Sequence, residues 1–128
     1  MFSLKARADR LRKVMELIKA DACIVKSEQS RRYLTGIDTA EGVVVITRVG
    51  NRYFLVDRRY EEFATRRLSP QGFTVRTVGR HSEYAMFINE IIQSDKISVA
   101  LLESNAISHE DYLELENALY AKIIPLKS

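Results

Sequence analysis

The sequence predicts an α/β fold of three layers, with a mixed sheet of about six strands between layers of helices. Three observations predict it. Short runs of apolar, mostly β-branched residues at 22–25, 43–47 and 97–102 ask for strands covered on both faces. Between them lie stretches whose apolar residues recur at helical spacing. A Gly50-Asn51 turn joins two of the strands as a hairpin, which makes the sheet mixed rather than wholly parallel.

The elements follow in order. Leu11, Val14, Met15 and Ile18 fall at i, i+3, i+4 and i+7, which predicts a helix over 3–20 with most of its cations off the apolar stripe. Ala22-Cys23-Ile24-Val25 reads as a buried strand, with Cys23 as a small hydrophobe rather than a nucleophile. Ser27 caps a short helix that Gly36 ends. The loop 37–42 leads into Val43-Val44-Val45-Ile46-Thr47, and Tyr53-Phe54-Leu55-Val56 returns as the second arm of the hairpin. Asp57 ends that strand, and 58–68 reads as a helix broken by Ser69-Pro70-Gln71-Gly72. Residues 73–78 alternate as an edge strand does. Tyr84, Phe87, Ile88, Ile91 and Ile92 line another helix, and 97–102 is a second buried strand. Ser108 and Asp111 form a capping box before a helix lined by Tyr112, Leu115 and Leu119. Ile123-Ile124-Pro125-Leu126 closes the chain as an edge strand, the place where a proline is tolerated.

Composition narrows the function. The chain has 128 residues with 46% hydrophobic and 29% charged side chains, which suits one domain with a proper core and excludes a disordered or fibrous chain. No run approaches the roughly 20 apolar residues of a membrane span. The first residues mix charge into apolar positions, unlike a secretory leader. A lone cysteine forms no internal disulfide and suits a cytoplasmic location. The net charge of +3 is unevenly spread: residues 1–80 hold 17 basic and 9 acidic side chains, residues 81–128 hold 3 and 8. Such asymmetry marks either an interaction surface or simply helices of different charge. No aromatic RNA-binding motif or long basic run accompanies it, so nucleic acid is not the expected partner.

The chemistry of common catalysts is missing from the pattern. The five glycines are scattered and form no phosphate loop. His81 and His109 stand far apart at helix starts, as surface residues do, and no zinc-ligand spacing is present. There is no G-x-S-x-G elbow.

Two motifs in order carry a resemblance. Tyr33-Leu34-Thr35-Gly36 follows a polar short helix, and after the hairpin comes Asp57-Arg58-Arg59-Tyr60. The pair resembles the "Y-L-T-G-F" stop and the "D-x-R-Y" helix opening of the creatinase/prolidase family N-terminal domain. That family includes Xaa-Pro aminopeptidases and Xaa-Pro dipeptidases. The late strand ending in Glu103 and the capping box before Tyr112-Leu113 fit the same pattern. The resemblance implies a six-stranded creatinase/prolidase N-terminal fold with a ribonuclease H-like motif. It implies a single N-terminal domain over 1–128 that stops about where the family's linker and catalytic pita-bread domain begin, as an excised domain would.

The resemblance also implies function. In the family the second domain holds two divalent metal ions, manganese or similar, whose bound water attacks the bond before proline. This domain caps that site and contacts a second subunit. No catalytic residue and no metal ligand is expected in this chain. The loop after Thr35 and Gly36 limits what fits beside an Xaa-Pro peptide, which makes Asp38, Glu41 and Arg59 the substrate-proximal candidates. A carboxylate at Asp38 or Glu41 meets a substrate ammonium, or the loop is simply solvated. Asp57 reads as a helix cap and Tyr60 as core, while Arg59 is either the ionic neighbour of Asp57 or, as the resemblance implies, a group on the substrate side. Ile37 stands where the family has an aromatic residue. Two other readings compete. One is a non-enzymatic module whose Arg48, Arg52, Arg58, Arg59, Arg66 and Arg67 contact an acidic partner. The other is the N-terminal domain of a creatinase-type amidinohydrolase.

Overall fold

In the computed structural model, which describes residues 3–127, every strand and helix expected from the sequence is present. The order is α1 (Leu4–Ile18), β1 (Ala22–Val25), α2 (Glu28–Thr35), β2 (Val43–Thr47), β3 (Arg52–Asp57), α3 (Glu61–Leu68), β4 (Phe73–Val78), α4 (Glu83–Ser94), β5 (Val99–Glu103), α5 (His109–Ala118) and β6 (Lys122–Leu126). One six-stranded sheet runs β4-β3-β2-β1-β5-β6. The β1–β2 and β2–β3 pairs are antiparallel, and the other three pairs are parallel. Only β2 is therefore reversed. The strands β1, β3, β4, β5 and β6 all end at one rim of the sheet, where β2 begins.

Alternation along the strands builds two cores. Cys23, Val25, Val44, Ile46, Phe54, Val56 and Leu101 face one side, with Ala8 and Met15 of α1, Leu34 of α2 and Ala64 and Leu68 of α3. Ala22, Ile24, Val43, Val45, Leu55, Ala100 and Leu102 face the other, with Ile88, Ile91 and Ile92 of α4 and Leu115 of α5. Both faces of the central strands exclude water, which is why their sequences run apolar without a break. The edge strands β4 and β6 are only partly buried, and Pro125 sits in β6, where no ladder bond is lost on the open side.

The ends of the elements differ from the sequence reading in three places. The first helix stops at Ile18 because Lys19 turns left-handed (φ 64°), and Ile18 of the predicted stripe is 43% exposed. Lysine at that position gives no glycine signal to mark the stop. The helix expected over 58–68 is divided into a 3₁₀ turn, Arg58–Tyr60, and α3. The fifth strand begins two residues later than expected, because Ile97 closes the end of α4 through a backbone bond to the Ile92 carbonyl (2.9 Å). The predicted caps hold: Ser27 Oγ accepts from Ser30 N (3.2 Å) and Ser108 Oγ from Asp111 N (3.0 Å).

The candidate site at the carboxyl rim of the sheet

Open α/β sheets bind ligands beyond the carboxyl ends of their strands, where loops fan out and helix starts point inward. Here that rim gathers Lys26 and Ser27 after β1, the 37–42 loop before β2, Asp57 after β3, His81 before α4, Glu103 at the end of β5 and Asp111 in the first turn of α5.

The deepest part is a buried carboxylate. Glu103 is 3% exposed and ties the end of β5 to the start of α2. Its carboxylate accepts from Lys26 N (3.1 Å), Ser27 N (2.7 Å), Ser27 Oγ (2.8 Å) and Ser30 Oγ (2.5 Å). Burial alone raises its pKa, but the bonds from Ser30, Ser27 and Lys26 outweigh burial and hold it below the usual carboxylate range. Sequence reading used Glu103 only as part of a resemblance. The local signal was a charged residue closing an apolar strand, with Ser27 and Ser30 set to face it.

Arg31 carries this order outward. It is 5% exposed, donates through Nη2 to the Thr39 carbonyl (2.7 Å), and makes a short bond through Nη1 to the Lys26 carbonyl. Its Nε is buried without a partner among the described residues, and burial lowers its pKa. The loop is held from the other side as Ala40 N donates to the Tyr60 hydroxyl (3.1 Å), while Thr39 Oγ1 donates to the Glu41 carbonyl (2.8 Å). Gly42 sits at φ 156°, and a Cβ there would lie 2.9 Å from the Phe54 ring and 3.2 Å from the Leu55 carbonyl oxygen. Only glycine allows this close approach of the loop to β3.

The predicted residues divide. Glu41 and Arg59 share the rim: Tyr84, buried beneath them, feels the charges of Glu41, Asp57, Arg31 and Arg59. Burial, then Glu41 and Asp57, push its phenol up to about 12. Asp38 is turned aside and paired to Arg32 Nε at 2.5 Å, while Arg32 also holds Glu28 (2.8 Å). Asp57 acts as the cap the sequence allowed: it accepts from Arg59 N (2.8 Å) and Arg59 Nε (3.1 Å), and these bonds lower its pKa. The Arg59 guanidinium lies 5.4 Å from the centre of the Tyr60 ring.

Of the other motif residues, Gly36 ends α2 at φ 74°, and Thr35 is buried with its hydroxyl on the Arg31 carbonyl (2.7 Å). Tyr33 is 41% exposed and is held by α1. Arg7 donates to its carbonyl (2.9 Å), and Arg10 donates to its hydroxyl (3.3 Å). Sequence reading missed the rim roles of Lys26, Arg31, His81 and Tyr84, which come together only through the crossovers. His81 is 3.7 Å from Glu41 and 3.9 Å from Glu114, and Lys26 is 3.4 Å from Asp111.

The arginines of the basic half form no single patch. Arg48 pairs with Asp21 and Arg52 packs over Phe73 at the opposite rim, while Arg59 lies at the carboxyl rim and Arg67 folds over Phe63 on α3. The charge split does become spatial: α4 and α5 carry Glu83, Glu90, Glu110, Asp111, Glu114 and Glu116 with no lysine or arginine. Among the described residues no group of three or more His, Cys, Asp or Glu could hold a metal ion. Among the described residues no helix is long and apolar enough to cross a membrane.

Comparison with known proteins agrees with this architecture. An Xaa-Pro dipeptidase from Bacillus anthracis superposes with a TM-score of 0.86 at 22% identity over 98% of this chain. The chain spans only 34% of that protein. An Xaa-Pro aminopeptidase structure from Streptococcus pyogenes superposes with a TM-score of 0.84 at 21% identity, covering 97% of this chain and 92% of that one. An X-Pro aminopeptidase from Thermotoga maritima gives 0.78 at 20% identity, over 93% of this chain and 33% of its own length. At these identities the likeness is one of fold. No curated protein matches the sequence. The model of the creatinase/prolidase N-terminal domain matches residues 7–128, and the chain belongs to that family.

Proposed function

We propose that this chain is the non-catalytic, substrate-capping and subunit-contacting N-terminal domain of a proline-specific metallopeptidase, an Xaa-Pro aminopeptidase or dipeptidase. The observation that carries the reading is the fit of nearly the whole chain to about a third of an Xaa-Pro dipeptidase, together with the family match. In this reading the 37–42 loop, pinned by Arg31 and Tyr60, forms a stiff wall beside the peptide's N-terminal side. Glu41 and Arg59 are the substrate-proximal groups, and Asp38 braces the loop through Arg32.

Two divalent metal ions belong to this reading, but the described residues of this chain do not fit them, since no cluster of ligands is present. No hydrolytic step is assigned to this chain. A partner catalytic domain and a second subunit complete the site, and a cytoplasmic location suits the lone Cys23, which is fully buried and pushed up to about 12 mainly by that burial. The test is direct. The purified chain with Mn²⁺ is expected to leave Xaa-Pro peptides intact, and metal-dependent cleavage by the chain alone would refute the reading.

A further inference from the structure

We propose that His81 is a pH-operated latch: its protonated imidazole ties the 37–42 loop to α5, and its neutral form releases that tie. His81 stands just before α4 and faces two carboxylates from two other parts of the chain. Its Nδ1 lies 3.7 Å from Glu41 Oε1 on the loop, and its Nε2 lies 3.9 Å from Glu114 Oε1 on α5. All three side chains are about half exposed, so protons reach the imidazole without any rearrangement of the fold.

The chemistry of imidazole makes this bridge depend on charge. A neutral ring carries one N–H and donates to one partner only, whereas the cation carries two and donates to both. Only the protonated ring therefore serves Glu41 and Glu114 at once, and its charge attracts both. Histidine is the side chain whose charge changes between about pH 5 and 8. The other groups around His81 have commitments of their own. Tyr84 meets its ring edge-on at 6.0 Å, and the Tyr84 phenol, pushed up to about 12 mainly by burial, stays neutral. Glu83 accepts from Gly79 N (2.7 Å) and Arg80 N (3.1 Å). In the cleft of about 250 Å³ that His81 helps to line, Lys26 pairs with Asp111 (3.4 Å), and Arg31 is bound to the Lys26 and Thr39 carbonyls.

The latch acts on the open side of the loop. On the other side the loop is pinned by bonds that involve no histidine, from Arg31 Nη2 to the Thr39 carbonyl (2.7 Å) and from Ala40 N to the Tyr60 hydroxyl (3.1 Å). Among the described residues the Glu41 carboxylate pairs with His81 alone, so its tie across the cleft to α5 runs through that ring. Both pairs are longer than good hydrogen bonds and lie in water. Protonation therefore shifts the population of the seated loop by the modest factor that exposed pairs supply, and it unfolds nothing.

The test is amide hydrogen exchange, read by NMR as protection factors on the ¹⁵N-labelled chain at about pH 5 and pH 8. The Ala40 amide, bonded to the Tyr60 hydroxyl, reports how firmly the loop is seated. The Asn51 amide, bonded to Thr47 Oγ1 (2.9 Å) at the opposite rim, is the reference. Protection of Ala40 relative to Asn51 is expected to be about threefold higher at the lower pH. His81→Gln removes the titrating ring and Glu114→Gln removes the anchor on α5, both at exposed positions, and each should abolish the difference. His109→Gln, at the other histidine of the chain, should keep it. The proposal is overturned if the parent shows no difference between the two pH values, if His81→Gln or Glu114→Gln keeps the difference, or if His109→Gln abolishes it. The peptidase assay is independent of this one, so failure of the latch leaves the capping role standing, and the reverse.

Discussion

Two carboxylates clamp the same pair of strands from opposite ends, and they do so differently. Asp21 stands just before β1 and accepts from Ser98 N (2.9 Å) and Val99 N (3.0 Å) at the start of β5. Glu103 ends β5 and accepts from the residues that follow β1. The Asp21 side chain is 28% exposed and is shared with Arg48 at 3.5 Å. Glu103 is buried, and its hydrogen-bond partners are neutral amides and hydroxyls. A half-exposed clamp keeps part of its hydration and tolerates loss. A buried clamp has replaced its hydration entirely, so its loss strands several donors at once. The rim built on Glu103 is also the rim that carries the 37–42 loop.

The sharpest way to break the contrast is Glu103→Ala. It leaves the Lys26 and Ser27 amides and two serine hydroxyls without their acceptor, and should cost about 3–5 kcal/mol in urea unfolding. Thiol labelling of Cys23, inert in the folded protein because it is fully buried between the two clamps in β1, should accelerate in proportion.

Gly42→Ala should come next, at about 1–3 kcal/mol, because the new methyl meets the Phe54 ring and the Leu55 carbonyl from a backbone that L-residues avoid. Hydrogen exchange should show the loosening in the 37–42 loop and not in the 47–51 turn.

Acid provides a third test. Burial opposes ionisation of both clamps, but the bonds from Ser30, Ser27 and Lys26 to Glu103, and from Val99, Ser98 and Arg48 to Asp21, lower both pKa values. A group held lower in the folded state binds fewer protons there than in the unfolded chain. Its stabilisation is complete above the unfolded values of about 3.9 and 4.3, and is lost as pH falls through the lower folded values. Stability should therefore drop below about pH 4. Glu103→Gln should flatten that drop more than Asp21→Asn does, as measured by urea midpoints across pH.

Two smaller effects complete the order. Asp21→Asn should cost about 1–2 kcal/mol at neutral pH. Asp38→Asn, which removes an exposed pair with Arg32, should cost less than about 1 kcal/mol.

Much of this contrast was hidden in the sequence, although the fold was not. Apolar runs at 22–25 and 43–47 and the caps Ser27 and Ser108 are local signals, and each produced the expected element. The Lys19 stop and the 3₁₀ turn at 58–60 lack a distinctive residue, so helix ends were misplaced there. Glu103 meets Ser27 across 76 positions of chain, and Lys26 meets Asp111 only because two crossovers return to one rim. Periodicity reports which face a residue takes, not which distant residue shares its end of the sheet. For the same reason Asp38 and Glu41 looked alike in sequence, and only the position of Arg32 on α2 separates them.

The central claim is that the carboxyl rim faces substrate and the opposite rim does not. In the longer peptidase that this reading implies, steady-state kcat/KM for Xaa-Pro peptides measured on Glu41→Gln and Asp21→Asn tests it most directly. The account predicts a fall of about tenfold or more for Glu41→Gln and a change within about twofold for Asp21→Asn, with both proteins folded. Equal effects of the two substitutions, or none from Glu41→Gln, would contradict it.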